Sequence, residues 1–141
     1  MASRLTLFAL LLVACKSTLP QATQPCVQAN TAACEEGDPT DAGLARLLFC
    51  GSDETGKTVW TVYSDCRGDG GCAVQDGTLS CDTSKNTLGD HCAPQSEGKA
   101  RCEPMTGTSI LRCEGGLLAD VVDCPAGTRC VPVDAGLDCV Q

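Results

Sequence analysis

The residues with the greatest capacity for chemistry in this sequence are its cysteines. Thirteen of the 141 residues are Cys, a share typical of small proteins that are cross-linked in an oxidising compartment. At least five residues separate every neighbouring pair, so the C-x-x-C spacing of redox sites and the short Cys spacing of zinc sites are both absent. The cysteines are therefore predicted to form disulfides, and no metal and no cofactor are expected.

Cys15 differs from the other cysteines because it follows an N-terminal apolar segment. Residues 1–4 carry one positive charge, and residues 5–13 form an apolar run of nine residues. At about 1.5 Å per residue, a helix of this length cannot cross a hydrocarbon core of about 30 Å. Residues 1–14 are predicted to be a signal peptide and not a membrane span.

The end of this segment, Leu12-Val13-Ala14-Cys15, resembles the bacterial lipobox. The resemblance implies that the Cys15 thiol receives a diacylglyceryl group, that the leader is removed, and that the new N-terminus is acylated, which together make membrane anchoring stable. Lys16, not Asp, follows Cys15, and in the enterobacterial sorting pattern this resembles an outer-membrane lipoprotein. Residues 15–25 are polar, with two prolines, and are predicted to be a flexible lipidated tether.

The other twelve cysteines are an even set, as expected if all of them are paired. They divide into two groups of six, with gaps of 7, 15, 15, 5 and 8 residues and then 9, 10, 10, 5 and 8 residues. The predicted disulfide-forming residues are Cys26, Cys34, Cys50, Cys66, Cys72, Cys81, Cys92, Cys102, Cys113, Cys124, Cys130 and Cys139. Spacing alone leaves the pairing open, but we expect each bond to stay within its own group.

Residues beside the cysteines also match between the two groups. Asp65-Cys66 aligns with Asp123-Cys124, and Leu47-Leu48-Phe49-Cys50 aligns with Ile110-Leu111-Arg112-Cys113. We interpret this as a tandem duplication. The first six-Cys module is assigned to residues 26–81, the linker to residues 82–91, and the second module to residues 92–141, because the segment between the groups is polar and rich in turn residues.

The fold class is predicted to be small, disulfide-rich and β-rich: a tandem pair of six-Cys modules with little hydrophobic core. Residues 58–63 and 117–122 are short apolar or β-branched runs and predict strands. Residues 42–49 are compatible with one or two helical turns or with a strand. The only aromatic residues after the leader are Phe49, Trp60 and Tyr63, so disulfides are expected to supply stability that a small core cannot.

Within the second module, the part from Cys102 to Cys139 resembles the small chitin-binding modules of fungal chitinases. This part is about a quarter of the chain. The shared features are a Gly-Gly turn, an apolar pair, and the sequence Cys-Pro-Ala-Gly-Thr-Arg-Cys at 124–130. That family typically has an aromatic residue at the apolar pair, whereas this module has Leu117-Leu118. The aligned aromatic is Trp60, in the first module.

Trp60 and Tyr63 are the candidate ligand-binding residues, because sugar rings stack on aromatic faces. The alternative interpretation is that both rings pack in the small core of the first module. Arg67-Gly68-Asp69 spells an adhesive tripeptide, but the glycine-rich stretch that contains it is typical of a tight turn.

No catalytic arrangement is recognisable, and the chain is expected not to be an enzyme. The single histidine, His91, lies in the linker and is expected to be solvated, with no nucleophile motif beside it. Asp65, Asp69 and Asp76 lack the spacing of an EF-hand calcium loop and are expected to be solvated turn carboxylates.

The negative charge of the chain argues against one class of partner, nucleic acids. The formal net charge is −8, and no run of Lys or Arg is present, so nucleic acid is not expected to bind. The expected partners are the membrane, through the N-terminal lipid, and other envelope proteins. Small Cys-rich lipoproteins of this style resemble those that support surface motility or adhesion machinery in social and gliding Gram-negative bacteria.

Two functions are therefore compatible with the sequence. The first is a non-enzymatic outer-membrane lipoprotein, periplasmic or surface-exposed, that acts as a binding or scaffold component of a cell-envelope assembly. The alternative is a glycan-binding lipoprotein that attaches the cell surface to a matrix or wall polysaccharide.

Overall fold

The computed structural model describes residues 19–35 and 44–141. The predicted signal peptide and Cys15 lie outside these residues, so lipidation stays a prediction. Within the described residues no helix is long and apolar enough to cross a membrane. The one helical element there is a single 3-10 turn, Pro94–Ser96.

Each of the two predicted modules folds into a three-stranded antiparallel sheet followed by a hairpin. The strands of the first unit are β1 (Ala32–Glu35), β2 (Ala45–Ser52), β3 (Thr58–Cys66), β4 (Cys72–Gln75) and β5 (Thr78–Cys81). The strands of the second unit are β6 (Ala100–Cys102), β7 (Ser109–Glu114), β8 (Leu117–Asp123), β9 (Arg129–Val133) and β10 (Gly136–Val140). The β-rich class is confirmed, and so are the strands predicted at 58–63 and 117–122. Residues 45–49 of segment 42–49 belong to strand β2, and the described residues 44–49 contain no helical turn.

The disulfide connectivity is the same in both units and never crosses between them. In each unit the first Cys pairs with the third, the second with the fifth, and the fourth with the sixth. The six bonds are Cys26–Cys50, Cys34–Cys72, Cys66–Cys81, Cys92–Cys113, Cys102–Cys130 and Cys124–Cys139. The expectation that each bond stays within its unit is confirmed. Each bond typically contributes roughly 2–4 kcal/mol by restricting the unfolded chain.

A β-bulge occurs at the same place in both three-stranded sheets. In the first unit the register passes from Leu48↔Val62 to Leu47↔Ser64, which leaves Tyr63 as the extra residue. In the second unit the register shifts between Ile110 and Leu111, and Val121 is the extra residue. Tyr63 and Val121 both stand three residues before the fourth Cys of their unit. This shared irregularity does not depend on Cys spacing and therefore supports the duplication independently.

The first unit begins earlier than the predicted tether allows. The N–H of Thr23 donates to Trp60 O at 2.7 Å, the N–H of Trp60 donates to Gln24 O at 2.9 Å, and the N–H of Cys26 donates to Thr58 O at 3.2 Å. Residues 23–25 therefore run along the outer edge of β3 and are not part of a free tether. The physical reason is that strand-edge groups need partners, and Pro25 occupies a position where no N–H is required.

The second unit begins in the same way, inside the predicted linker. The N–H of Gly89 donates to Leu118 O, the N–H of Leu118 donates to Asp90 O, and the N–H of Cys92 donates to Gly116 O, all at 2.8–2.9 Å. Residues 89–91 are thus the counterpart of residues 23–25. In both units the hydrogen bonds to the sheet therefore begin about three residues before the first Cys.

The core is small and centred on the middle strand of each sheet. Leu48 and Cys50 on β2 are 0% exposed, and Leu111 and Cys113 on β7 are each 1% exposed. These pairs occupy aligned positions, so the core of each unit centres on one fully buried leucine and a disulfide; Ile110 and Leu118 are also buried in the second unit. The prediction of little hydrophobic core is confirmed.

We expect Leu48→Ala and Leu111→Ala each to destabilise the protein by about 2–5 kcal/mol, because each removes buried methyl groups from a core that cannot easily collapse around the cavity. The measurement is equilibrium unfolding in guanidinium chloride with the disulfides intact. Val74→Ala is the matched control, since Val74 is 67% exposed. A leucine variant as stable as the Val74 control would contradict this account of the core.

Candidate functional site at the junction of the two units

The junction between the two units is built from polar side chains that are nearly inaccessible to solvent. Asp65 at the end of β3 is 3% exposed, and Asn86 and Asp90 in the predicted linker are 1% and 4% exposed. Buried polar groups are costly unless they are hydrogen-bonded. The predicted linker is therefore a packed part of the structure.

Asp65 is the centre of this junction. Its carboxylate accepts a hydrogen bond from the N–H of His91 at 2.6 Å and lies 3.0 Å from His91 Nδ1 and 3.2 Å from Arg46 Nε. Its own N–H donates to His91 O at 3.2 Å, and Asn86 Nδ2 donates to its carbonyl at 2.6 Å. Two predictions are corrected here. His91 is paired and not simply solvated, and Asp65 is a buried junction residue and not a turn carboxylate.

Arg67 and Asp90 form a second contact across the junction. The guanidinium donates through Nε at 2.8 Å and through Nη2 at 2.6 Å to the two carboxylate oxygens, which is the two-pronged geometry of a strong ion pair. The N–H of Thr87 donates to the same carboxylate at 2.8 Å. Burial raises the pKa of Asp90, but the bonds from Arg67 and Thr87 outweigh it, so this pKa lies below its ordinary value.

Arg101 attaches the second unit to the linker from the other side. Its guanidinium donates to Thr83 O at 2.8 Å and to Ser84 O at 3.1 Å. Contacts from Asp65, Arg67 and Arg101 together hold the linker between the two units, so the chain cannot hinge there without breaking charged hydrogen bonds.

The tripeptide Arg67-Gly68-Asp69 is folded into the turn that the sequence predicts. Arg67 is engaged by Asp90, and Asp69 forms an ion pair with Lys85. Gly68 is buried against Asp82, and a Cβ at position 68 would lie 2.1 Å from Asp82 Cγ. Both charged side chains of the tripeptide are therefore paired within the protein, and its glycine is packed against Asp82.

Asp82 holds the same turn closed. Hydrogen bonds from the Ser84 hydroxyl and from the N–H groups of Gly70 and Ser84 lower the pKa of Asp82 to about 2. Asp76 lies in the two-residue loop between β4 and β5, where it has φ 51°, as expected for a turn residue. Within residues 19–35 and 44–141, no group of three or more His, Cys, Asp or Glu side chains is placed to hold a metal ion.

Trp60 and Tyr63 do not form one aromatic platform. Trp60 pairs with Cys50 in the register of β2 and β3 and is partly buried. Tyr63, the bulge residue, packs against Phe49, with 5.9 Å between the ring centroids. Its hydroxyl donates a hydrogen bond to Gln95 of the second unit. Tyr63 therefore serves the junction, and Trp60 is left to line a separate, shallow pocket of about 410 Å³ with Asp53 and His91.

A cleft of about 560 Å³ lies between the two units. Leu47 and Leu79 line it from the first unit, and Lys99, Arg101 and Leu118 line it from the second. Sequence reasoning missed this cleft because it exists only when the units dock. The sequence signal that could have pointed to the cleft is an apolar pattern shared by aligned strand positions of the two units. Leu47 and Tyr63 occupy these positions in the first unit, and Ile110 and Val121 occupy them in the second.

We expect Asp90→Asn to cost about 1–3 kcal/mol of folding free energy at pH 7, because it removes a charge-assisted pair from a buried site. Since the folded pKa of Asp90 is below the ordinary value of 3.8, its contribution is fully present above that pH and is lost as the pH falls through the folded pKa. Urea unfolding at pH 7 and below pH 3 should show the wild-type advantage shrinking with acid.

Asp69→Asn is the matched control for this prediction, since the Asp69 side chain is 88% exposed and exposed ion pairs contribute about 0–1 kcal/mol. An Asp90→Asn penalty that is the same at both pH values, or no larger than that of the control, would contradict the assigned role of Asp90.

Comparison with known proteins supplies no relative from which a role could be transferred. No family model, no curated protein and no solved structure matches the chain. The lipobox and chitin-binding resemblances therefore rest on the residues that carry them. The function has to be argued from the two units and their junction.

Proposed function

We propose that this chain is a non-enzymatic outer-membrane lipoprotein that acts as a rigid binding or scaffold component of a cell-envelope assembly. The proposed anchor is Cys15, on the strength of the Leu12-Val13-Ala14-Cys15 motif and the polar segment after it. The proposed narrower role is in surface motility or adhesion machinery, which rests on the resemblance to small Cys-rich lipoproteins of social and gliding bacteria.

The observation that carries the proposal is the locked junction. Three disulfides fix each unit internally, and the contacts of Asp65, Arg67 and Arg101 fix one unit against the other. A body that keeps its shape presents its surfaces at constant separation, and binding to such a surface costs little ordering entropy. This is a property suited to a part that holds other proteins in place.

The test is cross-linking in intact cells that carry a C-terminally tagged copy, followed by purification in mild detergent and mass spectrometry. We expect a few envelope proteins in stoichiometric amounts. They should be lost with Cys15→Ala, because an unanchored protein leaves the membrane, and retained with Ser17→Ala as the matched control.

The alternative, glycan binding, depends on Trp60, which is partly exposed and lies beside the pocket it shares with Asp53. Tagged protein retained on wall or matrix polysaccharide, with no protein partner, would contradict the proposed function. If Trp60→Ala then abolished that retention while leaving the disulfides and the circular dichroism spectrum unchanged, the alternative would take its place.

A further inference from the structure

The outer edge of β8 is open at a place where the equivalent edge of β3 is filled. In the first unit, Asp65 N–H donates to His91 O, and the Asp65 carboxylate accepts the His91 N–H. The counterpart of Asp65 in the second unit is Asp123, which pairs with Ser109 as Asp65 pairs with Arg46. Within residues 19–35 and 44–141, no segment covers Asp123 in the second unit as His91 covers Asp65 in the first.

The uncovered edge is apolar and acidic. Val121 is 38% and Val122 is 44% exposed, whereas Ser64, the counterpart of Val122, is buried beneath His91. The N–H groups of Val121 and Val122 are hydrogen-bonded to the Asp120 carboxylate. Within residues 19–35 and 44–141, no segment outside β7 and β8 donates to or accepts from the backbone of Val121, Val122 or Asp123. An open strand edge is a template for another extended segment.

The charge at this edge is unbalanced. Asp120 and Asp123 lie close enough that desolvation and the charge of Asp123 raise the pKa of Asp120. The equivalent carboxylate of Asp65 lies 3.2 Å from Arg46 Nε and 3.0 Å from His91 Nδ1. The position of Arg46 is occupied by Ser109 in the second unit, so a cation has to come from the segment that binds.

We infer that the β8 edge at Val121–Asp123 binds an extended segment of a partner protein that places a Lys, Arg or His side chain beside Asp123. The segment pairs with Asp123 as His91 pairs with Asp65, through one backbone hydrogen bond from the Asp123 N–H and a contact with the Asp123 carboxylate. Val121 and Val122 supply the apolar contact, and Asp120 with Asp123 selects the basic residue.

A second copy of this chain is a poorer occupant. In each copy, residues 23–25 of the first unit are equivalent to residues 89–91 of the second. Pro25 stands there in place of His91. Pro25 has no N–H and no basic side chain, so it lacks both groups that His91 presents to Asp65. The net charge of −8 also opposes association between copies.

The test uses three synthetic peptides, Thr-Val-Lys-Val-Thr and the same sequence with Ala or Glu at the centre, titrated into the whole ¹⁵N-labelled protein. We expect the lysine peptide to shift the amide resonances of Val121, Val122 and Asp123 and to bind at least about tenfold more tightly than the glutamate peptide. Asp123→Asn should reduce that preference, whereas Asp138→Asn, an exposed carboxylate on the other hairpin, should leave it unchanged.

Three results would overturn the inference: no shift at these amides at millimolar peptide, equal affinity for the three peptides, or self-association in sedimentation that Asp123→Asn abolishes. The inference rests on the proposed role as a binding component. Because the peptide titration needs neither membrane nor lipid, its failure is distinguishable from failure of the cross-linking experiment.

Discussion

The buried carboxylate of Asp65 imposes the constraint on which the arrangement of the two units depends. A carboxylate removed from water costs several kcal/mol unless it is paired and hydrogen-bonded. The sheet of the first unit supplies only part of this pairing, through Arg46. The remainder comes from His91, whose N–H and Nδ1 contact the carboxylate, while Asn86 donates to the Asp65 backbone carbonyl; both residues belong to the segment between the units. Satisfying Asp65 therefore places the start of the second unit.

The disulfides stabilise each unit internally, whereas the junction contacts hold the two units relative to each other. Each disulfide acts within one unit, where a core of a few buried apolar side chains is too small to hold a sheet alone. No disulfide crosses the junction, so the relation between the units depends on reversible polar contacts. One of them, the Arg67–Asp90 ion pair, is weakened by acid, because the pKa of Asp90 lies below its ordinary value and its charge is lost as the pH falls through it.

The sequence predicts which cysteines form disulfides and where two of the strands lie, because Cys spacing and strand patterns are local signals, but it leaves the pairing within each unit open. The β-strands at Trp60 and Leu118 follow from β-branched and apolar runs, and the two-unit organisation follows from matched gaps. The bulges at Tyr63 and Val121 are not predictable in this way, since they depend on pairing between strands that is set only after folding.

The errors have a common physical cause. Residues 23–25 and 82–91 are polar and rich in turn residues, so local composition predicts a tether and a linker. Both segments are ordered because they form hydrogen bonds with groups distant in sequence. These groups are the outer edges of β3 and β8 and the carboxylate of Asp65. His91 was likewise expected to be solvated because its partner is 26 residues away in sequence and invisible to local reasoning.

The central claim, that the junction makes the two units one body, is tested most directly by ¹⁵N relaxation of the purified protein. The account predicts one rotational correlation time for amides of both units, that of the whole chain. It also predicts that Asn86→Ala, which removes the buried bonds to Asp65 and Arg67, separates this into two shorter times. Two independent correlation times in the wild-type protein would contradict the claim.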